Sequence, residues 1–134
     1  MSSQSAPLAP DAAPGLAIGA LAGLAALKLV MLAGLFTQTP PYPPLDLAPL
    51  FASSLALSVF CVAMILVRSR WFAVPAVLVV LESLLSYGPH KLYPGDSLFF
   101  AQTAAVYPAI VVGSAPIAVL AAATWRLARA WRVG

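Results

Sequence analysis

Four apolar stretches, separated by short segments rich in proline or arginine, constrain this chain more than anything else in its sequence. They run for about 17 to 25 residues, the length an α-helix needs to cross a hydrocarbon layer about 30 Å thick. Backbone amides and carbonyls in hydrocarbon must find partners within their own segment, so each stretch is expected to be helical. Composition agrees, because 62% of the 134 residues are hydrophobic and only 8% are charged, against about a quarter charged in a soluble domain. So few charges do not cover a water-exposed surface. The expected fold is all-α, a polytopic integral membrane protein built as a four-transmembrane-helix bundle.

The punctuation between the stretches sets their limits. Residues 1–14 carry Pro7, Pro10 and Pro14 and read as a flexible tail. They contain Asp11 but no Lys or Arg, so they lack the basic region of a cleavable signal and the first helix, about 15–36, is expected to be retained. The segment TQTPPYPPLDLAP comes next, and its consecutive prolines favour a stiff polyproline-II strap. Asp46 is placed to cap a second helix over about 47–67, with Pro49 tolerated in its first turn. Arg68, Ser69 and Arg70 form a tight turn, and Pro75 opens a third helix over about 71–87. That helix is at the short limit for a span and should stand upright or thin the bilayer. After GPHKLYPGD, Asp96 or Ser97 can cap a fourth helix over about 97–131, longer than a bilayer requires and bent at Pro108 and Pro116.

Basic residues orient the bundle. With four spans, Arg68, Arg70, Arg126, Arg129 and Arg132 share the side of the tail, and Lys91 alone lies opposite. Cytoplasmic loops carry the Lys/Arg excess. Both termini are therefore expected on the cytoplasmic face, most simply of a bacterial inner membrane, with the proline strap and the His90 loop outside. The net charge of +3 arises from these flanking positions, which excludes nucleic acid as the expected partner and makes the lipid bilayer the first one. Trp71, Trp125 and Trp131 alternate with the same arginines, a pattern suited to the headgroup zone, where indoles anchor and guanidiniums meet anionic lipid.

Three features inside the spans carry chemistry. Gly15, Gly19 and Gly23 fall four residues apart on one face of the first helix, with Ala26 extending the row. Such a small-residue stripe lets another helix approach backbone to backbone, either within the chain or from another subunit. Lys28 lies within the first helix and Glu82 within the third, and an ionisable group at such depth needs a partner. At about 1.5 Å of rise per residue, Lys28 is roughly 20 Å and Glu82 roughly 17 Å from the arginine side. Compatible depths make them a candidate ion pair joining the two helices. Cys61, the one cysteine, sits inside an apolar stretch and reads as packing.

Catalytic machinery is not expected. His90, Lys91 and Asp96 share a polar loop without a paired carboxylate or a positioned nucleophile. One histidine without a neighbouring cysteine does not supply a metal ligand set. No cofactor is expected, a bound lipid aside.

The third and fourth stretches contain RWFAVPA, with Trp71 and Pro75, then Pro89, and VYPAIVVGSAP, with Tyr107 and Pro116. In these pieces, under half of the chain, the sequence resembles the emopamil-binding-protein-like (EXPERA) family of four-span membrane proteins, which includes sterol isomerases and a sterol-binding receptor. That family's ligand chemistry uses acidic and histidine side chains in its first two helices, where this chain offers only Lys28 and the boundary Asp46. The resemblance thus implies a similar bundle, with an apolar-ligand pocket near Glu82, Tyr87 and Tyr107, more than it implies isomerase activity.

The sequence supports two functional expectations. The first is a non-enzymatic accessory or assembly subunit that packs through helix contacts into a larger membrane complex. The alternative is an EXPERA-like binder of a sterol-like or other apolar lipid. A transporter ranks third, because four spans without an internal repeat or further buried polar groups offer little from which to build a pathway.

Overall fold

The computed structural model describes residues 12–39, 42–87 and 103–132, with the side chains of Tyr87 and of residues 103–106 outside that description. Most of the expected tail, Pro40 and Pro41 of the strap, the loop holding Pro89, His90, Lys91 and Asp96, and the expected start of the fourth helix lie outside the described residues. Every element described is helical: α1 (Ala12–Thr37), α2 (Ala48–Leu66), α3 (Ala73–Tyr87) and α4 (Thr103–Ala130), with 3-10 turns at Leu45–Leu47 and Arg70–Phe72. Among the described residues three helical segments, Ala12–Thr37, Leu45–Leu66 and Tyr107–Ala130, are long and apolar enough to cross a membrane. The third helix is shorter than that: its 15 residues span about 22 Å.

Boundaries differ from expectation for local reasons. α1 begins before Gly15, because Pro14 falls in its first turn, where the missing N–H has no intrahelical partner. Asp46 does not cap α2. It sits in the 3-10 turn, and Leu47 occupies the cap position with no side-chain hydrogen bond. Pro49 lies in the first turn of α2, as the chemistry of the missing N–H requires.

The turn after α2 is a complete Schellman cap. Arg68 takes a left-handed φ of 54°, its N–H donates to the Ile65 carbonyl, and the Ser69 N–H donates to that of Met64. The Ser69 hydroxyl then accepts the Trp71 N–H at 3.4 Å and caps the 3-10 turn that leads into α3. α1 ends in a related way at Gln38, with φ 54° and Thr39 N–H donating to the Gly34 carbonyl.

Each helix turns one stripe inward. On α2 the buried positions are Phe51, Ser54, Ser58, Cys61 and Ile65, an alternating three- and four-residue spacing that places them on a single face. On α1 they are Ala13, Ala17, Ala20, Leu21, Leu24, Lys28, Met31 and Leu35. α3 contributes Ala76, Val79 and Ser83, and α4 contributes Ile110, Ile117, Leu120, Ala123, Thr124 and Leu127. α1 packs most extensively on α4, and α2 and α3 close the bundle around them. Pro14, Leu66, Arg68 and Trp131 line one cavity, and Phe72 meets Trp131 edge-on at 4.9 Å. These contacts gather the start of α1, the α2–α3 turn and the end of α4 at one end of the molecule. Successive helices therefore run up and down.

The outward faces are as apolar as the core. Val30, Phe36, Val59, Phe60, Leu66, Leu85, Val111 and Val112 are all more than half exposed, and a helix that is hydrophobic all round is suited to a protein core or to lipid.

Candidate functional site

The polar centre of the bundle is a knot of five side chains from three helices. Lys28 projects from α1 and is completely buried. Its Nζ lies 2.5 Å from Glu82 Oε2 on α3, donates to Ser54 Oγ on α2 at 2.5 Å and donates to Ser83 Oγ at 3.1 Å. An ammonium has three N–H donors, so all three have partners. Glu82 is equally well served: Ser54 Oγ donates to Oε2 at 2.7 Å, Ser83 Oγ donates to the same oxygen at 3.4 Å, and Ser86 Oγ donates to Oε1 at 2.8 Å. The structure thus brings together the two residues whose depths match in the sequence.

Local sequence explains the placement. Lys28 occupies a position of the α1 inward stripe, four residues after Leu24 and three before Met31. Ser54 and Ser58 occupy inward positions of α2, and Ser58 returns its hydroxyl to the Ser54 carbonyl at 2.8 Å. Ser86 comes one helical turn after Glu82, the spacing that lets side chains meet. The serines are absent from the sequence-based candidates. The signal is nonetheless present, since Ser54 and Ser58 fall on the same spacing as Phe51, Cys61 and Ile65 in an otherwise apolar stripe.

Chemically the knot is closed. The side-chain surface of Glu82 is only 11% exposed, every donor of Lys28 is engaged, and both carboxylate oxygens accept hydrogen bonds. Among the described residues these contacts neutralise the two charges against each other.

The glycine row behaves differently along its length. Gly15 and Gly19 are exposed, and a Cβ added at either would meet nothing within 4 Å. Gly23 faces α4, where an added Cβ would lie 3.8 Å from Pro116 Cβ. Among the described residues, packing therefore does not use Gly15 or Gly19; the neighbouring alanine row of Ala13, Ala17 and Ala20 takes that role. Beside the glycine row runs an apolar groove of about 290 Å³ between α1 and α2, lined by Ile18, Leu21, Ala22, Ala25, Ser58, Val59 and Val62. Ala22 lies three residues after Gly19 and four before Ala26, so groove and stripe form one continuous surface.

Two further cavities lie at the arginine end. One of about 270 Å³ is lined by Arg70, Trp71, Ala73, Ala128, Trp131 and Arg132. The other, of about 470 Å³, shares Trp131 and is bounded by Arg68 and the start of α1. Of the expected interfacial anchors, Trp71 and Trp125 are 64% and 62% exposed, and each carries a guanidinium over its ring: Arg70 at 5.8 Å and Arg129 at 4.6 Å. Arg68, Arg126 and Arg132 are exposed as well. Trp131 departs from the anchor pattern, being half-buried against Phe72. Tyr107 is 45% exposed, and none of these three cavities has Glu82 or Tyr107 in its wall. Among the described residues no group of three His, Cys, Asp or Glu side chains converges as a metal site would require. Cys61 is fully buried, and its thiol points to the Phe72 carbonyl at 3.7 Å.

No protein-family model, curated protein or solved structure matches the chain. The EXPERA resemblance accordingly stands on the sequence pieces that carry it.

Proposed function

We propose that this chain is a non-enzymatic integral membrane protein whose four helices all cross the bilayer, the short α3 through local thinning, with both termini in the cytosol. Its role is that of an accessory or assembly subunit, holding a helix of another membrane protein against the outer face of α1. One observation carries this reading: an outward-facing stripe of Gly15, Gly19 and Ala26 borders an apolar groove. In lipid, helices associate through van der Waals packing of small residues and not through exclusion of water. Gly15 and Gly19, with no described residue above them, are unused capacity for such packing, and the groove beside them accepts the side chains of an approaching helix. The closed knot at Lys28 and Glu82 supports a structural role over a catalytic one. The apolar outward faces of α1, α2 and α4 support lipid as the solvent, since contiguous exposed apolar area on this scale is foreign to soluble monomers.

Purification from native membranes in mild detergent tests the proposal. The wild-type chain is expected to copurify stoichiometrically with at least one further membrane protein. A Gly15→Leu/Gly19→Leu variant is expected to lose that partner while keeping its own melting temperature, because neither position packs against a described residue. Isolation of the wild-type chain alone, carrying a bound lipid, would overturn the subunit reading in favour of an apolar-ligand binder.

A further inference from the structure

Five guanidiniums crowd one end of the bundle, and among the described residues none of them makes an ion pair. The two described acids are placed elsewhere: Glu82 is consumed by Lys28, and Asp46 lies in the 45–47 turn that precedes α2, at the opposite end. A cluster of like charges with no counter-ion among the described residues is suited to draw anions from outside.

The arginines are not equivalent. All of them are exposed, but Arg126 and Arg129 project from the last turns of α4, whereas Arg70 and Arg132 stand on two walls of the same cavity of about 270 Å³. Trp131 forms another wall and is fixed by its edge-on contact with the fully buried Phe72. Trp71 closes the cavity on the α3 side, and its ring is covered by the Arg70 guanidinium at 5.8 Å, a distance within reach of a cation–π interaction. Ala73 and Ala128 complete the lining. Small side chains at these two positions leave the space open.

We propose that this cleft is a binding site for a phosphate ester, with Arg70 and Arg132 as paired ligands and the Trp71 and Trp131 rings as an apolar seat for the carbon skeleton attached to it. Guanidinium forks match phosphate oxygens in bidentate geometry. The site accepts a phospholipid headgroup entering from the bilayer surface or a soluble phosphate ester from the cytosol, since both present the same oxygens. It rests on the chemistry of the cleft and is independent of whether the chain serves as a subunit of a complex.

Native mass spectrometry of the full chain in detergent, titrated separately with phosphatidylglycerol, phosphatidylcholine and glycerol 3-phosphate, tests the site. The expected result is retention of phosphatidylglycerol or of glycerol 3-phosphate in preference to phosphatidylcholine, which identifies the lipid or the soluble ester as the source. Arg70→Gln/Arg132→Gln is expected to weaken that binding roughly thirtyfold, whereas Arg126→Gln/Arg129→Gln changes it by no more than about threefold. Arg70→Lys/Arg132→Lys keeps the charge but loses the fork, and is expected to fall between wild type and the Gln pair. Each variant is checked for an unchanged melting temperature, so that loss of binding is not loss of fold. Equal weakening by both Gln pairs would reduce the site to a diffuse basic surface and overturn the proposal. So would indifference to headgroup charge together with no binding of the soluble ester.

Discussion

Replacing Glu82 by Gln removes one charge from the knot and preserves its shape, so it isolates the electrostatic part of the interaction. At the observed separation of 2.5 Å and an effective dielectric constant of about 20, the attraction between Lys28 and Glu82 is about 7 kcal/mol. Withdrawing the two ions from water costs several kcal/mol each. The intact pair is therefore close to break-even, and the sensitive quantity is the cost of leaving one partner behind. Lys28 is completely buried, and an uncompensated buried charge destabilises by about 3–5 kcal/mol. For a chain of this size that is a fall of roughly 10–20 °C in melting temperature, read by thermal unfolding in a mild detergent. The companion variant Lys28→Met/Glu82→Gln removes both charges and is expected to recover most of the loss, because a paired replacement by neutral groups is often neutral or stabilising. An unchanged melting temperature in Glu82→Gln would refute the reasoning, and so would a double variant less stable than the single one.

Ser54→Ala removes the hydroxyl that both accepts from Lys28 and donates to Glu82, and a stability loss of about 1–3 kcal/mol is expected in the same melting assay. Phe72→Ala empties a fully buried position against Trp131; a loss of about 3–5 kcal/mol is expected, together with a change in tryptophan fluorescence. Cysteines introduced at Thr39 and Ser69, with Cys61 replaced by Ala, are expected to react with a membrane-impermeant maleimide from opposite faces of the membrane. Labelling of both in intact cells would overturn the proposed topology.

Much of this architecture is legible in the residues because lipid-compatible helices are dictated by length and apolarity. The α1 and α2 stretches, Pro49 and Pro75 in first turns, and the match in depth of Lys28 and Glu82 need only the rise of a helix and the chemistry of proline. Three things are not legible. Asp46 looks like a cap, but the chain enters α2 through a 3-10 turn, and propensity alone does not separate a cap from a residue one turn earlier. The direction of the glycine row is ambiguous, because α1 is apolar on every side and the alanine row beside it is equally small; only packing against α2 and α4 decides which row turns inward. The partners of Ser54, Ser83 and Ser86 are hidden, because spacing can place a serine on an inward face but a serine in an apolar helix often satisfies itself on its own backbone, as Ser114 does with the Ile110 carbonyl at 2.7 Å. The distinction of these three is their nearness to two charges, a property of the tertiary arrangement.

The Schellman turn at Arg68 and the knot at Lys28 together govern longitudinal slippage. Moving α1 by one turn along α3 would carry the ammonium about 5.4 Å from its carboxylate, so those helices possess a single registration with α2 clamped between them by Ser54. Among the described residues the knot contains none from α4. That rod is located by the fit of surfaces such as Gly23 on Pro116, and it can glide without breaking any bond of the knot.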